Sequence, residues 1–273
     1  MRLLPILILL FAGSGYGAPK VETSFAPLQE ISAAIMASIA SPGVIIDGNA
    51  SAHHFALKPS HLRRLQQADL VIWLDGHFES GFHNLNDSLP ASTRRLELMP
   101  LMATEDRDGH VWYSPTRVTE VAELIAKTLE DLDPDNSSVY RKNQATLSAA
   151  LTEWRGSVVE QGLPSMSKVI TDHDFLRHFV HDFGFAPVPS VHDSHDDHGG
   201  LKEIARLEKE IARNGISCLV ALEYPLSPLA QRLVKKYQLE VVNLTAVEIE
   251  QTEYTPIVGR LDRLVRALQA CPG

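Results

Sequence analysis

Three histidines lie at positions where predicted strands end, and their side chains could together bind a metal ion. His53 follows the strand-like run GVIIDG, His110 lies in the turn-rich segment GHVWYSP, and His173 lies in TDHDF, at the end of the apolar run KVIT. Neutral imidazole suits Zn²⁺, and three imidazole nitrogens at about 2.0–2.1 Å form most of a tetrahedral shell. The three residues are far apart in the chain, so a shared site requires a fold that brings strand ends together.

The other isolated histidines have an ordinary interpretation. A lone histidine on a helix is usually exposed to solvent or satisfied in the core. Five histidines in predicted helices or loops are interpreted in this way: His61, His77, His83, His178 and His181.

A denser group of ligand atoms lies in the stretch VHDSHDDHGG. Aspartate, serine and glycine break helices, so this stretch is predicted to be a mobile surface loop. Ordering such a loop around one ion costs conformational entropy, which favours weak, auxiliary metal binding over a tight site. A solvated loop with no role is the alternative. The candidate auxiliary ligands are His192, Asp193, His195, Asp196, Asp197 and His198.

Composition excludes one class of function. The 273-residue chain has 44% hydrophobic and 22% charged residues and a net charge of −9. This balance is typical of a globular protein and argues against a nucleic-acid binder, which would carry a basic face.

Three histidines and a water also form a catalytic zinc shell, so a three-histidine zinc hydrolase stays an alternative. The chain has no HExxH motif to supply a general base.

The N-terminus is predicted to be a signal peptide. Arg2 precedes a short apolar run, and Gly15 and Gly17 occupy the small-residue positions before a cleavage point, so residues 1–17 are removed and Ala18 begins the mature chain. The run is too short for a spanning helix, so the mature protein is expected to be exported and soluble.

In an oxidising compartment, the two cysteines, Cys218 and Cys271, are expected to form a disulfide, with two free thiols as the alternative.

The rest of the chain alternates short apolar runs with amphipathic segments. This alternation predicts an α/β fold with parallel sheets and flanking helices, and ligands then bind beyond the carboxyl ends of the strands. A long helical stretch divides the alternation into two halves. We therefore predict two lobes, each with a parallel sheet, joined by one long rigid helix. The predicted limits are an N-terminal lobe at 18–134, a linking helix at 135–163 and a C-terminal lobe at 164–273.

Four segments resemble one known family in order along the chain. They are SAHHFALKPSHLRRLQQADLVIWLDG, HVWYSP, TDHDFLRHFVHDF and ISCLVALEYP. They are similar to the three metal-ligand segments and a late cysteine-bearing strand of the Znu-type zinc-binding solute receptors of ABC importers, the cluster A-I periplasmic binding proteins. The resemblance covers nearly the whole mature chain, and it also implies two α/β lobes and a long rigid helix.

The resemblance implies a ligand set. Its three ligand positions fall on His53, His110 and His173, and His53 is preferred to His54 by its distance from the LKPS motif. Asp174 would orient an imidazole, or would only cap the following helix. The late cysteine, Cys218, would pair with one at the C-terminus.

The sequence also departs from the family pattern. Thr245 stands where many relatives place a carboxylate ligand, and Ala52 stands where some zinc members have an acidic residue. The fourth ligand would then be water or an unplaced residue such as Glu223. Loss of the carboxylate argues against manganese, a hard ion that prefers oxygen ligands, and favours zinc.

The resemblance implies a function. The chain would be a monomeric periplasmic receptor, not an enzyme, that captures Zn²⁺ in the interlobe cleft and delivers it to an inner-membrane ABC permease. A periplasmic zinc metallochaperone is a further possible partner, and no nucleic acid is expected. A manganese receptor of the same superfamily is the second alternative, beside the hydrolase.

Overall fold

A computed structural model of the chain describes residues 17–47, 51–102, 108–163, 165–192, 201–222, 224–247 and 255–272. The predicted signal peptide, apart from Gly17, lies outside the described residues. None of the helices in the described part of the chain combines the length and the apolar character needed to cross a membrane.

The first lobe is built on a four-stranded parallel sheet. Its strands are β1 (Val21–Phe25), β2 (Gly43–Ile46), β3 (Leu70–Trp73) and β4 (Arg94–Glu97). They are arranged in the order β2-β1-β3-β4. The two central strands, β1 and β3, are buried at every residue, as expected for a sheet covered on both faces. The helices of this lobe are α1 (Ala26–Ile35), α2 (Pro59–Gln66), α3 (Leu85–Ser88) and α4 (Pro115–Leu132).

A helix of 25 residues, α5 (Ser137–Gln161), connects the two lobes. It follows α4 after a short 3₁₀ turn and packs along α4 and α1. Gly162 comes directly after α5 with φ of 88°, a region that glycine enters without steric cost. The domain limits at 134 and 163 stay predictions.

The second lobe has a sheet of the same plan. Its strands are β5 (Val169–His173), β6 (Ser190–His192), β7 (Cys218–Ala221) and β8 (Glu240–Asn243). They are all parallel and in the order β6-β5-β7-β8, which repeats the second-first-third-fourth order of the first sheet. Its helices are α6 (Arg177–Phe183), α7 (Leu201–Asn214), α8 (Pro228–Tyr237) and α9 (Pro256–Gln269). The predicted two-lobed α/β fold is confirmed.

One hydrophobic core runs through both lobes. It includes Leu28 of α1 in the first lobe and Phe179 of α6 and Leu261 of α9 from the second half of the chain, all with no solvent exposure. A smaller cluster fills the outer side of the second sheet, around Leu207 and Leu233. The last helix reaches the first lobe, where Arg260 of α9 forms an ion pair with Glu30 of α1. The lobes therefore share an apolar interface and a charged contact.

The expected disulfide is present between Cys218 and Cys271. Cys218 is buried at the start of β7, and Cys271 follows α9. The bond therefore ties the C-terminal tail to a central strand of the second sheet, across a sequence separation of 53 residues.

Candidate metal centre

The three histidines of interest meet between the lobes. His173 is the last residue of β5, His110 directly precedes a 3₁₀ turn at Val111–Tyr113, and His53 lies in the segment that leads into α2. Their ring centroids are 5.1 Å apart for His110 and His173, 5.6 Å for His53 and His110, and 6.5 Å for His53 and His173. The structure therefore brings together side chains from both halves of the chain.

An aspartate holds His173 in one orientation. Asp172 Oδ1 accepts a hydrogen bond from the His173 backbone nitrogen at 2.9 Å and lies 3.1 Å from His173 Nδ1. Its other oxygen accepts from the backbone nitrogen of Leu222 at 3.0 Å, which anchors the carboxylate to the end of β7. Because Nδ1 faces an anionic oxygen, it carries the ring proton, and Nε2 is the nitrogen with the lone pair.

A second aspartate holds His110 in the same manner. Asp108 Oδ1 accepts from the His110 backbone nitrogen at 3.0 Å and from His110 Nδ1 at 2.6 Å. Both side chains are almost fully buried, with 5% and 3% exposure. Nε2 of His110 therefore also has the lone pair. A carboxylate behind an imidazole is the usual partner of a histidine that binds metal, because it fixes the tautomer and raises ligand basicity.

Burial sets the protonation of this pair. Burial lowers the pKa of His110 below its ordinary value, against the opposing influence of Asp108, so the ring is neutral at pH 7. Burial alone would raise the pKa of Asp108, but the charge and the hydrogen bonds of His110 hold it at about 2. An ionised carboxylate beside a neutral imidazole is the state that suits metal binding.

His53 is held by backbone groups of its own lobe. Its Nδ1 donates to the carbonyl oxygen of Phe78 at 3.1 Å, and Ser80 Oγ donates to the His53 carbonyl oxygen at 2.7 Å. The Phe78 segment is fixed in turn by Glu79, whose Oε2 accepts from the backbone nitrogen of Leu74 at 2.7 Å. Burial raises the pKa of Glu79 to about 8, so this carboxyl is protonated at neutral pH. Nε2 of His53 has the lone pair as well.

The separation of two ligand atoms matches a zinc shell. His110 Nε2 and His173 Nε2 lie 3.3 Å apart. A tetrahedron with zinc–nitrogen bonds of 2.0–2.1 Å has edges of about 3.3–3.4 Å and places imidazole centroids about 5.2 Å apart. His110 and His173 meet both values, whereas His53 lies wider. Accordingly, no three His, Cys, Asp or Glu side chains among the described residues are positioned to hold a metal ion together.

Aromatic rings enclose the buried side of the centre. The rings of Phe78 and Trp112 both have their centroids 5.2 Å from the His110 centroid, and Phe175 is 6.3 Å from it. These rings exclude water from His110, which is consistent with the lowered pKa of its imidazole.

The remaining predicted site residues have other surroundings. His54 is exposed, and its ring centroid is 6.5 Å from that of His53. Asp174 forms an ion pair with Arg177, and the residue that precedes α6 is Leu176. Thr245 receives no ligand role from its contacts, because its backbone nitrogen and hydroxyl both donate to Asn243 Oδ1 at 3.1 and 2.8 Å.

The dense cluster is described only at its start. Val191 and His192 belong to β6 instead of a loop, and His192 pairs in register with His173 on the neighbouring strand. His192 Nε2 lies 3.0 Å from Ser227 Oγ, which ties it to the N-terminus of α8. The other predicted auxiliary ligands and the candidate fourth ligand lie outside the described residues: Asp193, His195, Asp196, Asp197, His198 and Glu223. Their role stays a prediction.

The sequence analysis missed the two carboxylates behind the imidazoles. Asp108 and Asp172 stand two and one residues before His110 and His173. An acidic residue so near a candidate ligand can fold back onto the same imidazole, so the DGH and DH pairs were the available signal.

The chain matches the family model described as ZnuA, zinc-uptake complex component A periplasmic, over residues 21–271. A similar protein of Paracoccus denitrificans (strain Pd 1222), named high-affinity zinc uptake system protein ZnuA, is 24% identical over 298 residues, which cover 92% of this chain and 89% of that protein. The protein of the same name from Haemophilus ducreyi is 25% identical over 272 residues, which cover 86% of this chain and 88% of that protein.

Solved structures share the fold. The Zn(II)-bound ZnuA-like domain of Streptococcus pneumoniae AdcA superposes with a TM-score of 0.71 at 20% identity, covering 93% of this chain and all of that one. A Cd-bound periplasmic metal-binding protein from Candidatus Liberibacter asiaticus superposes with a TM-score of 0.72 at 16% identity, covering 92% of this chain and 99% of that one. At this level of identity, the likeness establishes the two-lobed architecture.

Proposed function

This chain belongs to the ZnuA family of periplasmic zinc-uptake components, and we propose that it captures Zn²⁺ between its lobes with His53, His110 and His173. Members of this family are binding components of uptake systems and not enzymes, so the hydrolase alternative is excluded. The observation that carries the proposal is the meeting of three imidazoles that each have an oxygen partner at Nδ1 and a lone pair on Nε2.

The donor set supports zinc as the cargo. Three imidazoles match the preference of Zn²⁺, whereas Mn²⁺ prefers oxygen donors. The two aspartates near the centre are engaged behind the imidazoles. Thr245, at the position where the resemblance implies a carboxylate ligand in many relatives, donates its hydroxyl to Asn243 Oδ1. We propose water as the fourth ligand, since the fourth position of a three-histidine zinc shell is commonly a water.

Metal titration tests the proposal. Mature wild-type protein and the triple variant His53→Ala/His110→Ala/His173→Ala are stripped of metal and titrated with Zn²⁺ against a chelator of known affinity, and with Mn²⁺ in competition. We expect one tight zinc equivalent in the wild type, weak competition by Mn²⁺, and loss of this equivalent in the triple variant. Tight binding retained by the triple variant would reject the site, and preference for Mn²⁺ would reject the cargo.

Delivery completes the proposed function. The receptor, exported after cleavage before Ala18, hands zinc to an inner-membrane ABC permease, and its docking as a monomer and its loading by a metallochaperone stay predictions. Zinc-limited growth of cells that carry the permease measures delivery: wild-type receptor should restore growth, whereas the triple variant should not. N-terminal sequencing of the exported protein should begin at Ala18, and a longer chain would contradict the predicted cleavage.

We propose that the His/Asp-rich segment at residues 192–198 is an auxiliary metal-binding segment. Deletion of residues 193–199 keeps His192, which belongs to β6. We expect the deletion to leave the tight equivalent intact and to slow zinc loading at low metal concentration. Unchanged stoichiometry together with an unchanged loading rate would remove the auxiliary role.

A further inference from the structure

We propose that helix α6 holds His110 and His173 at the separation that zinc requires before the metal arrives, so that they form a preset pair. His178 and Asp182 are the positioning residues, which hold the His110 segment against the second lobe. The proposal rests on the proposed metal capture by these histidines. It assigns a role to His178, which the sequence analysis interpreted as an ordinary helix histidine.

His178 forms the first contact. It lies on the first turn of α6, in the second lobe, and its Nε2 donates to the backbone carbonyl oxygen of Asp108 at 2.7 Å. Both side chains have only 5% exposure. Asp108 in turn accepts hydrogen bonds from the backbone nitrogen and from Nδ1 of His110. A chain of short contacts therefore leads from α6 through Asp108 to the imidazole.

Asp182 forms the second contact, one turn further along α6. Its Oδ2 accepts a hydrogen bond from Ser114 Oγ and one from the backbone nitrogen of Thr116 at 3.2 Å. Ser114 caps α4, because its Oγ accepts from the backbone nitrogen of Arg117 at 3.0 Å. A carboxylate is stabilising at this end of a helix, where backbone N–H groups and the helix dipole face it. Helix α6 thus holds the His110 segment on both sides of the histidine.

The same helix is attached closely to His173. Only a short connection separates His173, at the end of β5, from Arg177, where α6 begins. Phe175 in this connection and Phe179 on α6 are fully buried in the shared core. In addition, Arg155 of α5 donates to the backbone carbonyl oxygen of Asp182 at 2.7 Å. His110 and His173 are therefore both attached to one packed body, although they come from different lobes.

His53 has a different support. Its partners belong to the first lobe, where Phe78 lies in a turn and Ser80 begins a short 3₁₀ helix. Its ring centroid is 6.5 Å from that of His173, about 1.3 Å beyond the separation of two imidazoles on one zinc ion. The incoming metal therefore meets a preset pair, and His53 moves inward to complete the shell. Presetting two ligands reduces the ordering cost of binding.

Variants of His178 test the proposal in the mature protein. His178→Leu removes the donor, and His178→Gln keeps an amide N–H near the position of Nε2. Leu233→Ala, in the separate small core of the second lobe, controls for a general loss of stability. Zinc affinity is measured by chelator competition, and Co²⁺ is added as a spectroscopic probe because its visible bands report coordination geometry.

We expect His178→Leu to lower zinc affinity by about 10–100-fold, the range for partners behind metal ligands, and to alter the Co²⁺ bands. His178→Gln should restore both the zinc affinity and the Co²⁺ bands. Leu233→Ala should lower the melting temperature but keep the zinc affinity and the Co²⁺ bands of the wild type. Wild-type affinity and bands in His178→Leu would overturn the proposal. The proposal would also be overturned if Leu233→Ala and both His178 variants all lost zinc affinity in proportion to the fall in their melting temperatures.

Two further variants keep the test independent of the folding of His178→Leu. Asp182→Ala should speed zinc dissociation, and a wild-type rate would overturn the proposal. The single variant His53→Ala keeps His110 and His173, and its residual zinc binding is compared in two double variants. Adding His178→Gln should preserve this residual binding, whereas adding Asp182→Ala should reduce it. Equal residual binding in the two double variants would also overturn the proposal. Failure of the proposed function is distinguishable, because it appears as tight zinc binding by the triple histidine variant.

Discussion

The two halves of the candidate metal centre are built in different ways. His110 and His173 are buried, each has an aspartate behind Nδ1, and both are attached to α6. His53 is half-buried, and its Nδ1 donates to a backbone carbonyl oxygen of a neighbouring loop. One half therefore has the rigidity that tight binding requires, and the other has the exposure that metal entry requires.

The difference explains how one site can combine affinity with exchange. Carboxylate-backed imidazoles in a dry environment are preorganised ligands and lose little freedom on binding. A ligand on a partly exposed loop can swing away at lower cost, since fewer buried contacts hold it. We therefore expect metal to enter and leave past His53.

The largest expected effect separates the two halves directly. His110→Ala and His173→Ala should each reduce zinc affinity by more than the roughly 10–100-fold typical of losing a partner behind a ligand, because each breaks the preset pair. His53→Ala should cost less, since it leaves that pair intact. Chelator competition measures the order, and a greater loss for His53→Ala than for the other two would contradict the comparison.

The next effect concerns what stands behind the imidazoles. Asp108→Asn and Asp172→Asn keep the size of the side chain but remove the charge that fixes the tautomer, and zinc affinity should fall by about 10–100-fold. Ser80→Ala removes the hydroxyl that bonds to the His53 carbonyl oxygen. It should change affinity by less than about tenfold, since a neutral hydrogen bond contributes about 1 kcal/mol. Equal losses in all three would contradict the comparison.

The two halves should respond to pH in opposite directions in the metal-free protein. Burial lowers the pKa of His110 below 6.5, so the unfolded chain takes up the proton first, and the free energy of unfolding falls as pH falls below about 6.5. The pKa of Glu79, in the His53 half, is raised from 4.5 to about 8. The folded chain keeps this proton, and the free energy of unfolding falls as pH rises between these values.

Denaturant unfolding between pH 5 and pH 9 measures the two contributions. His110→Gln should remove part of the acid loss, and Glu79→Gln should remove part of the loss toward alkaline pH. A Glu79→Gln profile parallel to that of the wild type would show that this carboxyl does not titrate as the structure indicates.

The smallest expected effect on affinity comes from the disulfide. Replacing Cys218 and Cys271 by serine should destabilise the protein by about 4 kcal/mol in the chain-entropy model for a loop of this length. Zinc affinity should stay at the wild-type value, because the bond joins the start of β7 to the C-terminal tail, away from the three imidazoles. Chelator competition below the melting temperature checks this. A loss of zinc affinity would show that the C-terminal tail helps to hold His110 and His173 in position.

Much of the fold was predictable because its signals are local. Alternating apolar runs and amphipathic helices specify parallel sheets, and parallel sheets place ligands at strand ends. His173 fits this rule directly, as the last residue of β5. The meeting of His110 with it was predictable from the family resemblance, because no local pattern links two residues so far apart in the chain.

The contacts between lobes were not predictable from the sequence. The bond from His178 to Asp108 joins residues 70 positions apart, and no periodicity encodes it. Strand β6 was missed because it has three residues and begins a stretch of polar turn formers, so pairing with β5 decided its conformation. In both cases tertiary contacts determine the outcome, whereas sequence patterns report only local preference.

The placement of α9 has a consequence for how the chain acquires its structure. The first lobe receives part of its core, and the ion pair from Arg260 to Glu30, from the last helix of the chain. Vectorial folding of an N-terminal domain during synthesis therefore stops short of a finished lobe. The first lobe can therefore complete its core only after residues 256–269 have been synthesised, so the two lobes depend on each other to fold.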